Sequence, residues 1–171
     1  AEEILGTSKV EDTKRLYEII AAVKSRAQAS LTGAGHSTAV LRATSYSSPM
    51  AAFQDEMAGI GYYQFIEKLE KDFDQQKDLI VQELRKLMKM ILRPENFMIS
   101  YTGERESLEE VKKLAAHIRQ GLNTEPVEKS EKKLICTRKN EGFKTSGQVQ
   151  FVAQTGNFKK KGLEYTGALD I

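Results

Sequence analysis

The sequence predicts an α+β fold that is helix-rich, with long amphipathic helices first and a few strands toward the C-terminus. Two observations lead there. Apolar residues recur at spacings of three and four through most of residues 8–118, which is the signature of helices with one buried face. Shorter apolar stretches at 97–101, 134–137 and 148–154, set between turn residues, have the length of strands.

In chain order, Ser8 followed by Glu11 is a capping-box pattern, so a first helix is expected to start near Ser8. Leu16, Ile19, Ile20, Val23, Ala27 and Leu31 give it one apolar face. Gly33 and Gly35 interrupt this helix, and Ala39, Val40, Leu41 and Ala43 continue as a short one up to the Ser47-Ser48-Pro49 break. A further short helix is expected through Phe53 and Met57. Beyond Gly59 and Gly61, Ile60, Tyr63, Ile66, Leu69, Phe73, Ile80, Leu84, Leu87 and Ile91 trace a single long stripe that Pro94 ends. Phe97, Ile99 and Tyr101 alternate with Met98 and Ser100, the period of a half-buried strand. Ser107 and Glu110 repeat the capping box ahead of a helix with Leu108, Val111, Leu114, Ala115 and Ile118 on its apolar face, which Gly121 stops. Residues 123–133 are polar, contain Pro126 and read as a linker. Strands at 134–137 and 148–154 follow, with turns around Asn140-Glu141-Gly142 and Thr155-Gly156-Asn157.

Composition limits the function classes. A chain of 171 residues suits one ordinary domain and can bury roughly 70% of its unfolded surface. With 40% hydrophobic and 29% charged residues it fits neither disorder nor a membrane span. The net charge of +2 is too small to give the one-signed field of a nucleic-acid binder, so neither nucleic acid nor membrane is expected as a partner. Cys136 is the single cysteine. It cannot form an internal disulfide, it leaves a four-thiolate zinc site impossible, and it agrees with a reducing, cytoplasmic setting. No secretory signal is visible in Ala1-Glu2-Glu3-Ile4-Leu5. The missing initiator Met and the ending at Ala168-Leu169-Asp170-Ile171 suggest a section of a longer protein.

Each chemistry-bearing residue also has a plainer structural reading. A zinc hydrolase needs three convergent ligands, usually with two His one helical turn apart and a nearby Glu as base. Only His36 and His117 exist, and neither has a second His or a Cys at ligand spacing. A site of His36, His117 and Cys136 is disfavoured against a loop histidine, a surface-helix histidine and a buried strand thiol. Ser37 beside His36 reads as a helix-start hydroxyl, because adjacent helical residues diverge. Gly33-Ala34-Gly35 lacks the Lys and Ser/Thr of a phosphate loop and reads as an interhelical turn. Lys159-Lys160-Lys161 beside Phe158, and the Lys129 to Lys133 stretch, read as solvated turns, and Glu109-Glu110 as helix-dipole capping. Tyr62, Tyr63 and Phe65 read as core packing with one ring at a surface groove. No catalytic, cofactor-binding or metal-binding residue is therefore assigned in this chain.

Several stretches nevertheless resemble one family. They are Gly35-His36-Ser37, Leu41-Arg42-Ala43-Thr44-Ser45-Tyr46, Ser48-Pro49 and Gly59-Ile60-Gly61-Tyr62-Tyr63-Gln64-Phe65-Ile66. Further on come Ser100-Tyr101-Thr102-Gly103-Glu104, Thr145-Ser146-Gly147-Gln148-Val149-Gln150-Phe151-Val152, Gly156-Asn157-Phe158 and Gly162-Leu163-Glu164-Tyr165-Thr166-Gly167-Ala168-Leu169. In order and spacing they resemble the presequence-protease branch of the insulinase-like (pitrilysin) zinc metallopeptidases, in the non-catalytic C-terminal half. The resemblance implies a part of a LuxS/mitochondrial-processing-peptidase-like metallohydrolase fold. Residues 1–122 would be the helical bulk and last strand-helix unit of a third domain, 123–133 a linker, and 134–171 the opening of the next domain. It further implies a non-catalytic structural segment in the wall of a chamber that degrades unstructured peptides, packed on the remaining domains of the enzyme. No cofactor is expected in this chain, and zinc would sit in the catalytic half. The cytoplasm remains the expected location, with a mitochondrial or plastid one also compatible with the resemblance if the source is eukaryotic. The alternative reading is a helical protein-protein interaction module without enzymatic role.

Overall fold

Asp12 starts the first helix. Its carboxylate accepts from the Arg15 amide at 3.0 Å and its carbonyl from the Leu16 amide at 2.9 Å, so an N-cap Asp satisfies amides that the first turn leaves open. Helix α1 accordingly spans Thr13–Gly33 rather than beginning at Ser8. Glu11 has a different use, accepting from Arg85 at 2.6 Å. In this computed structural model, which describes residues 8–128, 131–145, 147–164 and 166–169, five more α-helices follow. They are α2 (Gly35–Ser45), α3 (Pro49–Ala58), α4 (Ile60–Lys71), α5 (Phe73–Ile91) and α6 (Leu108–Gln120).

Two of the boundaries follow from residue chemistry. Ser48 accepts from the Ala51 amide at 3.4 Å with Pro49 in the first helical turn, so α3 opens on a Ser cap and a Pro whose fixed φ suits it. The single long helix expected from Ile60 to Ile91 is two helices. Asp72, at φ −96° and ψ 11°, closes α4 before Phe73 opens α5. Asp72 lies among the polar residues of the pattern, so a break there leaves the apolar stripe looking continuous. The capping box expected at Ser107 is also absent. A 3₁₀ turn, Arg105–Ser107, leads into α6, and the Ser107 side chain makes no cap bond.

The chain divides into two compact units. One comprises Ala1–Leu16 with Phe73–Ser130 and buries Phe73, Val81 and Ile118. In it the segment after α6 is tied to the end of α5: the Asn123 amide donates to the Leu92 carbonyl at 2.9 Å, and its side-chain amide donates to the Lys89 carbonyl at 3.0 Å. The other comprises Tyr17–Asp72 with Glu131–Ile171 and buries Ile20, Ala51, Ile60 and Ile66. There α2 packs on α3 and α3 on α4, while Lys24 of α1 pairs with Glu70 of α4.

The expected α+β class is corrected. Among the described residues there are six α-helices, some 3₁₀ turns and no strand. The segments 97–101, 134–137 and 148–154 leave the helical path, but no backbone hydrogen bond joins any two of them among the described residues. The physical reason is that alternation reports which side of a segment faces a core, whereas a strand also needs a partner for its amides and carbonyls. The facing is present: Leu134 and Cys136 are half-buried while Ile135 and Thr137 are exposed. The partner is what these residues lack.

Candidate functional site

Leu41-Arg42-Ala43-Thr44-Ser45-Tyr46 is the last stretch of α2, and its Arg42 gathers the most connected polar cluster of the second unit. Arg42 Nη1 donates to Asp55 Oδ2 at 2.6 Å. Its Nε and Nη2 donate to Glu141 at 2.8 and 3.3 Å, a fork-on-fork pair of the kind that favours Arg over Lys. Nε also lies 3.2 Å from the Tyr46 hydroxyl, which in turn donates to Glu141. The rings of Tyr46 and Phe143 stand 5.6 and 5.8 Å from the guanidinium carbon, within cation–π range.

Asp55 has a second duty. Its two carboxylate oxygens accept from the amides of Ile60 at 3.0 Å and Gly61 at 3.1 Å, the first turn of α4. A carboxylate at a helix N-terminus is held both by open amides and by the dipole. This explains the glycines on either side of Ile60. A Cβ on Gly59 would stand 2.9 Å from the Asp55 Cα and closer still to its carboxylate; one on Gly61 would meet Asp55 Oδ2 at 2.8 Å. Asp55 is buried, with 4% of its side chain exposed, against 16% for Arg42 and 25% for Glu141.

The electrostatics agree with the geometry. Burial alone pulls the Arg42 guanidinium toward deprotonation, yet the hydrogen bonds to Glu141 and Asp55 outweigh it and raise its pKa further. Glu141 is held below the ordinary carboxylate range, chiefly by Arg42. Burial, with the bond to Glu141, pushes the Tyr46 phenol up. Beside the cluster lies a groove of about 600 Å³, lined by Arg42, Asp55 and Phe65 of the helices and by Lys132, Ile135 and Lys139 of the C-terminal segment. Every charged group in the cluster is paired, so it is equipped to hold segments together rather than to exchange protons or attack a substrate.

Further anchors fix the C-terminal segment in the same unit. Thr155 Oγ1 donates to the Ala43 carbonyl at 2.8 Å, and Asn157 Nδ2 donates to the Ser47 carbonyl at 3.0 Å. Both are late carbonyls of α2 and its exit turn, groups that need partners from outside the helix. Phe151 stands against Gly35 and 6.1 Å from the His36 ring.

The chemistry-bearing residues of the sequence are dispersed. His36 and Ser37 are exposed in the first turn of α2. His117 lies in the last turn of α6, and Cys136 is a half-buried free thiol. Among the described residues no group of three or more His, Cys, Asp or Glu could hold a metal ion. Among the described residues the donor set does not fit the zinc of an insulinase-like peptidase. Gly33 to Gly35 is the junction of α1 and α2. Lys159–Lys161 is a 3₁₀ turn closed by Gly162 at φ 78°, the left-handed region that Gly occupies without strain. Glu109 and Glu110 occupy the first turn of α6. Of the aromatic trio, Phe65 lines the groove. Of the Lys129 to Lys133 stretch, residues 129 and 130 lie outside the described residues, and Lys132 pairs with Glu56. Sequence reasoning did not pick out Arg42, Asp55 and Glu141. The signal available was the resemblance itself, whose stretches contain Arg42, Tyr46, Gly59 and Gly61.

Residues 1–69 match a family model described as Peptidase M-16C associated. The resemblance to insulinase-like peptidases therefore holds. The matched residues carry α1 to α3 and most of α4, with Arg42, Asp55 and both glycines of the cluster. Protein HypA of Clostridium perfringens (strain 13 / Type A) is 32% identical over 170 residues, 99% of this chain and 17% of HypA. Presequence protease 1, chloroplastic/mitochondrial, of Arabidopsis thaliana is 24% identical over 168 residues, 96% of this chain and 15% of that protein. The chain thus spans about a sixth of the length of these curated relatives. No solved structure matches it significantly. No described helix is long and apolar enough to cross a membrane.

Proposed function

We propose that this chain is a non-catalytic structural segment of a larger zinc-dependent metalloendopeptidase that degrades peptides, and that it forms part of the wall of the substrate chamber. The observation that carries the reading is the similarity of nearly the whole chain to about a sixth of a protein named a presequence protease. Residues 1–122 then belong to one domain of the parent and 134–171 open the next, with 123–133 between them, and the bonds of Glu141, Thr155 and Asn157 to α2 and its exit turn cross that boundary. The remaining domains of the parent are its partners, and an unstructured peptide its substrate.

Two physical features support the reading. Among the described residues no large side chain is fully buried, while Met98, Ile135 and Val152 are 91%, 85% and 94% exposed. Apolar surface of this kind gains from being covered by further protein. The best-built polar cluster, around Arg42, fixes segments to one another. A chamber wall asks for that: rigidity lets a distant reacting centre hold its substrate in position. Zinc and its ligands are assigned to the catalytic half of the parent, and the reaction to that half. The purified chain, given an unstructured peptide and zinc, is expected to leave the peptide intact. Cleavage that a chelator abolishes and zinc restores would overturn the proposal.

A further inference from the structure

We infer that residues 131–145 form a releasable strap, latched to α2 by Glu141 on Arg42, and that release opens the groove beneath while the helices stay folded. The first observation is how the strap is held. Among the described residues, no backbone–backbone hydrogen bond involves 131–145, so docking depends on side chains alone. Its polar and cation–π hooks are Glu141 on Arg42 and Tyr46, Phe143 over the Arg42 guanidinium, and Lys132 on Glu56, beside the half-buried Leu134 and Cys136.

Exposure ranks these hooks. Lys132 and Glu56 are 72% and 46% exposed, a setting in which ion pairs hold little. Glu141 and Arg42 are shielded, charge-assisted and forked, so this pair carries the latch. Lys139, 3.8 Å from Glu141 on the strap itself, adds no hold on the helices.

The latch can let go without undoing what lies under it. Arg42 keeps Asp55, and Asp55 keeps the amides of Ile60 and Gly61, when Glu141 leaves. The neighbouring residues 151–157 have anchors of their own in Thr155, Asn157 and Phe151. Release is therefore confined to one segment. It uncovers the groove faces of Arg42 and Phe65, which Lys132, Ile135, Thr137 and Lys139 line from the strap side.

The chain supplies its own reporter. Cys136 is the sole cysteine and lies half-buried in the strap, so its rate of reaction with an uncharged disulfide reagent, dithiodipyridine, at fixed pH reads the undocked fraction. Glu141→Gln is expected to raise that rate by about tenfold with helical circular dichroism unchanged. Thr155→Ala is expected to leave the rate unchanged, which separates the strap from the anchor beyond it. An unchanged rate in Glu141→Gln, a loss of helix that accompanies the faster rate, or an equal acceleration in Thr155→Ala overturns the inference.

Discussion

Asp55→Ala is expected to be among the most destabilising single substitutions in the second unit. The change removes a buried carboxylate, leaves the amides of Ile60 and Gly61 without their acceptor, and takes one partner from the Arg42 guanidinium. Losing one side of a buried, hydrogen-bonded charge pair costs about 3–5 kcal/mol. Arg42 keeps Glu141, so the low end applies, about 3 kcal/mol. In a unit of this size that lowers the unfolding midpoint by roughly 12–24 °C. Asp55→Asn keeps one acceptor and the shape, and should lose clearly less. Thermal unfolding followed by circular dichroism separates the two, and equal small losses in both would show that Asp55 does not join α2, α3 and α4.

Gly59→Ala is the second large effect, for a different reason. Gly59 has φ −98°, a value open to any residue, so no conformational demand explains it. The demand is space. An added methyl would stand 2.9 Å from the Asp55 Cα, a backbone position that cannot swing aside. Forcing a methyl into such a contact costs about 1–3 kcal/mol. It also pushes the carboxylate off the α4 amides, so the upper end is expected in urea or thermal unfolding. Gly33→Ala is the matched control, since a Cβ there meets nothing within 4 Å. It should be neutral or stabilise by a few tenths of a kcal/mol, as Ala does over Gly in a helix. Equal losses at both positions would refute the steric account.

The cluster also sets a pH dependence. Glu141 is held below the ordinary carboxylate range by Arg42 in the folded chain. Its contribution is fully present above the unfolded carboxylate's pKa and is lost as pH falls through the lowered folded value. The strap should accordingly stay latched at neutral pH and loosen only in acid, which the Cys136 reaction rate, divided at each pH by that of the urea-unfolded chain to remove the pH dependence of thiolate reactivity itself, would show.

Much of the helical framework was legible because it rests on local patterns. Leu16, Ile20, Val23 and Ala27 face inward as their spacing requires, and Pro49 and Pro94 mark breaks as their missing amides require. Three things were not legible. The break at Asp72 falls on a polar position, where a bend leaves the apolar stripe undisturbed. The strand pattern at 134–137 specified a facing without a partner, because pairing is a property of two segments. The Arg42 cluster joins residues up to 99 positions apart, and Arg, Asp and Glu at such separations carry no spacing signal. In the sequence Glu141 is a turn residue between Asn140 and Gly142, and its contact with Arg42 exists only once the chain has folded back.

The role proposed for this chain is to supply structure to a peptidase whose reacting groups lie elsewhere. Its most direct test is peptidase activity on an unstructured peptide after co-expressing the zinc-bearing first half of an insulinase-like enzyme with, or without, this segment and its continuation. The account predicts activity only when the segment is present. Equal activity in its absence would contradict it.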